Sequence, residues 1–275
     1  MRISIAISAV ALAATLHAAA SAADTQPSKH VIWLLAGSAV NRLAAFHEGR
    51  VLLHGVLDHR DTWVLGRSRY APPRATHVAD GTNLAAVQRA AKSRADIVLL
   101  DLEKWKFTPP GQQRHPAAAC REAARVVGSS KKLLLITPAF DLIRAIKPHY
   151  RGRIYPEFVK LHLAARMARY ANLYEIQAQG CENNPRLYRW VVRRISRQVH
   201  RANPRATILA GLSTGPSGQH TTAAQLMRDY KNTRRYVSGY WVNIPGKGAY
   251  CPRCGRPRPD VAIAFFQHVY RGPGR

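Results

Sequence analysis

The sequence predicts an α/β protein, a (β/α)8 TIM-like barrel whether complete or irregular, and two observations predict it. Short apolar runs alternate with helix-patterned segments, the order that produces parallel strands. The runs are almost continuously apolar, as suits strands covered on both faces. An open doubly wound parallel sheet is the alternative. Such a sheet usually carries a glycine-rich phosphate loop after its first strand, and "LLAGSAVNRL" offers a single glycine there.

Taken in order, the strand-like runs are "HVIWLLAG" (30–37), "TWVLGRS" (62–68), "DIVLLDLE" (96–103), "KLLLITPAF" (132–140), "LYEIQAQ" (173–179), "TILAGLS" (207–213) and "SGYWVNIP" (238–245). Helical patterns rich in Ala, Arg and Leu separate several of them, at 83–95, 156–172 and 185–203. An eighth strand is weaker. "RVLLHGVLD" (50–58) is one candidate. "VAIAFFQHVY" (261–270) is another, although Pro259 and Asp260 make a good helix start and favour a closing helix.

The chain opens with Arg2, an apolar stretch and then small residues, the layout of a secretory signal peptide over residues 1–22 with cleavage near Ala22 or Ala23. The apolar stretch is shorter than the roughly 20 residues a spanning helix needs. The expectation is a secreted or periplasmic, monomeric barrel over residues 23–275, with no membrane span after cleavage. The formal net charge is +27, with 42 Lys and Arg against 15 Asp and Glu. Such a surface attracts anionic polymers. The basic residues are scattered and show no aromatic-interleaved nucleic-acid motif, so no specific nucleic acid is expected. No Walker loop, EF-hand or H-E-x-x-H pattern is present, and neither cofactor nor metal is expected.

Chemistry is expected where barrel strands meet their following loops. Residues two apart on a strand share a face. Asp101 and Glu103 therefore point the same way, with Cα atoms about 6.6 Å apart. Glu175, Gln177 and Gln179 share a face of a later strand, as do Trp241 and Asn243. Asp141 ends another strand, and Trp105 begins the loop after Glu103. Isolated buried carboxylates are costly. Close ones repel, so one of them keeps its proton near neutral pH. A protonated carboxyl beside an ionised one is what glycosidic cleavage uses. Glu103, Asp101 and Glu175 are thus the candidate catalytic residues. Gln177, Gln179, Trp241, Asn243, Trp105 and Asp141 are the candidate substrate-binding residues. The partner would be a polysaccharide or an anionic cell-wall polymer.

"DIVLLDLE" resembles the D-G-x-D-x-D-x-E strand motif of the family-18, chitinase-like glycoside hydrolases. Asp96, Asp101 and Glu103 fill the first, sixth and eighth places; Ile97 stands for the glycine and Leu99 for the middle aspartate. The resemblance implies that Glu103 is the general acid, that Asp101 orients it, that the substrate's acetamido group attacks, and that Trp241 floors the sugar site. Glu175 offers a second arrangement, as nucleophile or base opposite Glu103. The likeness covers about eight residues of 275.

Two further motifs compete. "GLSTG" (211–215) matches the G-x-S-x-G elbow of serine hydrolases, with Asp260 and His268 later in the chain, yet Pro216 and Gly218 break the helix that an elbow requires. "CPRCG" resembles half of a zinc ribbon, but an exported chain favours disulfides. Cys251 with Cys254, and by default Cys120 with Cys181, are the expected pairs.

Overall fold

A computed structural model describes residues 31–271; the signal-peptide expectation lies outside them. Eight parallel strands form a closed barrel in sequence order. They are β1 (Ile32–Ala36), β2 (Thr62–Leu65), β3 (Thr76–Ala79), β4 (Ile97–Leu102), β5 (Leu133–Pro138), β6 (Leu173–Ile176), β7 (Thr207–Ser213) and β8 (Gly239–Asn243). Closure is direct, with Ile32 paired to Gly239 and Leu34 to Trp241, which excludes the open sheet.

The helices are α1 (Gly37–Ala44), α2 (His47–His54), α3 (Leu84–Ala91), α4 (Pro110–Arg114), α5 (Pro116–Ser129), α6 (Ile143–Ile146), α7 (Ile154–Lys160), α8 (Leu163–Ala168), α9 (Pro185–Ala202), α10 (Ala223–Thr233) and α11 (Pro259–Arg271). None of them is long and apolar enough to cross a membrane.

All seven main runs form strands, and the weak eighth lies elsewhere than expected. It is the four-residue β3, between β2 and β4. The 50–58 candidate instead falls largely in α2, where Leu52 and Leu53 turn inward. Gly49 lets α2 meet α1, since a Cβ there would sit 2.0 Å from the Leu43 carbonyl oxygen. The 261–270 segment is helical, as its Pro-Asp start suggests. The single helix expected over 156–172 is two. His162, at φ 51°, breaks it, and Gln198 of α9 donates at 2.7 Å to the Val159 carbonyl, which also accepts from the His162 N–H.

Two apolar layers explain the near-continuous runs. Leu34, Trp63, Val78, Leu99, Leu135, Leu173, Leu209 and Trp241 fill the barrel interior. The alternate residues, such as Val98, Leu100 and Leu102 of β4, pack outward against the helices. Along β4 the inward face therefore reads Ile97, Leu99, Asp101. The acid arrives where the apolar plug ends and the mouth begins.

Candidate active site

Asp101 is buried and stands opposite Thr137 in the β4–β5 register. Its Oδ1 accepts from Thr137 Oγ1 at 3.1 Å and from Gln177 Nε2 at 2.9 Å. The same Gln177 nitrogen lies 3.3 Å from Glu103 Oε1 and 3.0 Å from the Thr137 carbonyl. Three acceptors around one nitrogen fix the amide orientation, because the carbonyl end of Gln177 could not face them. One side chain from beyond β6 thus ties both β4 carboxyls together.

The electrostatics follow from burial among like charges. Burial first, then the neighbouring Glu103, Asp80 and Glu175, push the Asp101 carboxyl well above the usual range, against the pull of the Thr137 hydroxyl. Glu103 is raised to about 7 by burial and then by Asp141; the bonds from Gln177 and Asp101 pull the other way. The two carboxyls sit close enough to titrate as a pair, with Asp101 the deeper and the more strongly raised of the two. Asp141 is raised by burial, opposed by the Lys104 N–H that donates to it at 3.0 Å. Among the described residues, none of the ion pairs engages Asp101, Glu103 or Asp141.

Glu103 borders two cavities at the mouth. The larger, about 760 Å³, is lined by Glu103, Asp141, Gln177, Gln179, Ser213, Trp241 and Asn243. The smaller, about 510 Å³, opens beside Asp80, Asp101 and Glu103. Trp105, Trp241, Asn243 and Tyr250 face both. The loop after β8 crosses between them. Its Tyr250 packs on Phe107 at 4.8 Å and on Trp105 at 5.8 Å between ring centroids. Trp105 is held by its own Nε1, which donates to Thr108 Oγ1 at 2.8 Å. Cys251 and Cys254 are disulfide-bonded in this loop.

Gly211 on β7 has a defined purpose. A Cβ there would lie 2.2 Å from the Gln179 amide carbon, so the glycine lets that amide rest across the strand. The amide is the mobile end of a side chain and can swing away. Gly211→Ala is therefore expected to cost less than about 1.5 kcal/mol of stability while displacing Gln179 from the cleft. Denaturant unfolding and glycan affinity, measured together, should show a near-native midpoint and weaker binding.

Several expectations need correction. Glu175 points inward from β6 but is fully buried, both oxygens lack a hydrogen-bond partner, and it lines neither cavity. It sits beneath the site, out of reach of substrate, and burial holds its carboxyl well above the usual range. Cys120 and Cys181 are free thiols. Cys120 on α5 is sealed in the outer apolar layer, whereas Cys181 lies in the loop after β6, bonded to the Tyr155 hydroxyl; burial pushes its thiol up to about 12. Ser213 is buried, and a 3-10 turn (Pro216–Gly218), not an α-helix, follows it. His268 turns its Nδ1 to the Ala264 carbonyl and Asp260 pairs with Arg258, so no serine triad forms.

Sequence reasoning missed Asp80, one residue beyond the unread β3, and Tyr250, which immediately precedes the disulfide-bonded Cys251. "HVADG" carried the signal for the first, an apolar run ending in an acid and a glycine. Among the described residues, no group of three or more His, Cys, Asp and Glu side chains is placed to hold a metal ion.

No family model matches the chain, and no curated protein matches it. Solved structures with a similar chain path include a sugar phosphate isomerase/epimerase from Parabacteroides distasonis ATCC 8503, at 11% identity and TM-score 0.48, over 90% of this chain and 96% of that one. Another is a GH18 chitinase from Pseudoalteromonas aurantia, at 11% identity and TM-score 0.39, over 64% of this chain and 70% of that one. Likeness at this level assigns no chemistry. What stands on the coordinates is a closed (β/α)8 barrel with its carboxyls gathered at the strand ends.

Proposed function

We propose that the protein is an exported glycoside hydrolase that cleaves a polysaccharide at the barrel mouth, with Glu103 as proton donor. One observation carries this reading. Glu103 borders an open cleft, has no cationic partner, and is raised to about 7, so it holds a donatable proton near neutral pH. Asp101, tied to it through Gln177, orients it from below.

Glu103 passes its proton to the glycosidic oxygen as the bond to the anomeric carbon breaks, leaving positive charge on the ring. Burial excludes Glu175 from attacking that centre. Leu99, packed in the barrel interior, offers no third β4 carboxyl. Asp141 shares the larger cavity with Glu103, and in this reading it takes a proton from the incoming water. Trp241 and Trp105 present faces to sugar rings, and Gln179 and Asn243 present amides to hydroxyls.

The sign of the pH dependence follows directly. Glu103 works protonated, so kcat/KM should fall about tenfold per unit as pH rises above about 7. Reducing-end release from a panel of neutral and acidic polysaccharides, followed across pH, checks it. Release of nothing from any of them sinks the hydrolase reading. A non-catalytic barrel that holds anionic wall polymer is the second reading, favoured by the +27 charge; its binding would survive loss of the Glu103 proton and weaken with salt.

A further inference from the structure

The mouth has an acidic floor and a cationic rim. Arg42, Arg67 and Lys247 border the smaller cavity, and Lys104, Lys106 and Arg253 border the larger. None of the ion pairs among the described residues uses any of the six, although four carboxyls line the same two cavities. Arg42 is fixed in place. One guanidinium nitrogen donates to the Ile244 carbonyl, and another lies so close to Gly246 that a Cβ there would sit 2.9 Å from it. Lys106 rests 5.2 Å from the centre of the Phe107 ring, beside Tyr250.

Cations elsewhere on the chain include several paired with carboxylates, such as Arg74, Arg125 and Lys147. The six at the rim face a concave, aromatic-walled cleft, where field lines are focused. The floor does not tie them up, because no ion pair among the described residues joins any of the six to a floor carboxyl, and burial raises Asp101 and Glu103 so that each carries less negative charge than a solvated carboxyl would. A neutral glycan draws nothing from such a rim. A sugar that carries an oxyanion does, and guanidinium groups bind two-oxygen anions with matched geometry. The cations also stand on both sides of Glu103, three to each cavity. That distribution suits a chain charged on sugars either side of the cleaved bond and does not suit a single terminal acid.

Building on the carbohydrate reading above, we infer that the substrate is an acidic polysaccharide, with Arg42, Arg67 and Lys247 holding oxyanions on one side of Glu103 and Lys104, Lys106 and Arg253 on the other. The test uses the full chain carrying Glu103→Gln, so that binding is read without turnover. The probes are a short oligogalacturonate, its neutral methyl ester and a phosphorylated oligosaccharide of equal length, titrated calorimetrically at near-physiological salt. The uronate or the phosphorylated probe should bind about five- to tenfold more tightly than the ester, and the tighter of the two names the oxyanion. Arg67→Ala with Lys247→Ala should remove most of that preference. Arg194→Ala with Arg197→Ala, which removes the same charge from the outer face of α9, should leave it intact. Equal affinity for all three probes, or equal loss in both double variants, overturns the inference. If the wild-type chain cleaves nothing but the preference and its loss persist, the hydrolase reading fails and the acidic-glycan inference stands. If it cleaves a neutral glycan with no response to the rim, the reverse holds.

Discussion

Glu103→Gln should abolish turnover while leaving the barrel folded, with kcat reduced by about a hundred- to ten-thousand-fold, the range general acid catalysis contributes. In free energy this is about 3–5 kcal/mol of transition-state stabilisation. The substitution is conservative in shape. The new amide oxygen can still accept from Gln177 Nε2, which now reaches Glu103 Oε1 at 3.3 Å. No ion pair among the described residues is broken. What disappears is the proton. The melting temperature should therefore hold or rise slightly, since an amide carries no charge to desolvate. Asp101→Asn is the companion variant. It keeps Glu103 but replaces the carboxyl that titrates with it by an amide that does not ionise, so it should lower kcat less and shift the alkaline limb of the pH profile. Full activity in Glu103→Gln would place the chemistry elsewhere, and an unfolded variant would be revealed by circular dichroism and excluded from the comparison.

Much of this site was legible in one strand. Alternation along "DIVLLDLE" places Leu99, Asp101 and Glu103 on one face, and the coordinates show Leu99 in the barrel plug and both acids at the mouth. Gln177, two residues beyond Glu175, was also readable as inward-facing. Its bond to both carboxyls was not, because a hydrogen bond between strands depends on register, which sequence periodicity leaves open. Depth was equally hidden. Glu175 and Glu103 look alike as acids near strand ends, yet Glu175 lies within β6 and Glu103 one residue beyond β4. That offset separates a sealed carboxyl from one on the cleft wall. β3 escaped notice because four residues, one of them an exposed histidine, give too short an apolar signal. The unformed Cys120–Cys181 pair has the same cause as the misplaced Glu175: an even cysteine count says nothing about which side of a helix or loop each thiol occupies.

Stability should fall as pH is raised from about 5 to about 8, by on the order of 1–3 kcal/mol per pH unit where two groups titrate together. The direction comes from the buried acids. Glu182, sealed after β6, is raised from 4.5 to about 8 by burial, against hydrogen bonds from the Gly180 and Ser213 backbone. Asp229 on α10 is raised from 3.8 to about 7 by burial, against Arg228. Glu103 rises to about 7, and Asp101 and Glu175 rise as well. Each folded-state value lies above the unfolded one. Between the two, the folded chain keeps a proton that the unfolded chain has released, so every increment of pH favours unfolding. The stabilisation is complete below the ordinary carboxyl range and is lost progressively up to pH 7–8. One effect runs the other way. Asp58, Glu122 and Glu157 are lowered, chiefly by hydrogen bonds from Arg74, Arg125 and Lys147, but their contribution is lost only as pH falls below the carboxyl range, outside the window. At physiological ionic strength, charges spread over the surface are screened beyond about 8 Å, whereas the buried carboxyls are not, so the acid term dominates. Thermal unfolding across this range measures it. Glu175→Gln isolates one contributor cleanly, because its oxygens have no partners to lose; the variant should flatten the slope by up to about 1.4 kcal/mol per pH unit toward the alkaline end. A melting temperature that rises between pH 5 and 8, or a slope that Glu175→Gln leaves unchanged, would show that these carboxyls are solvated in the folded chain and that the raised values on which Glu103's role depends do not hold.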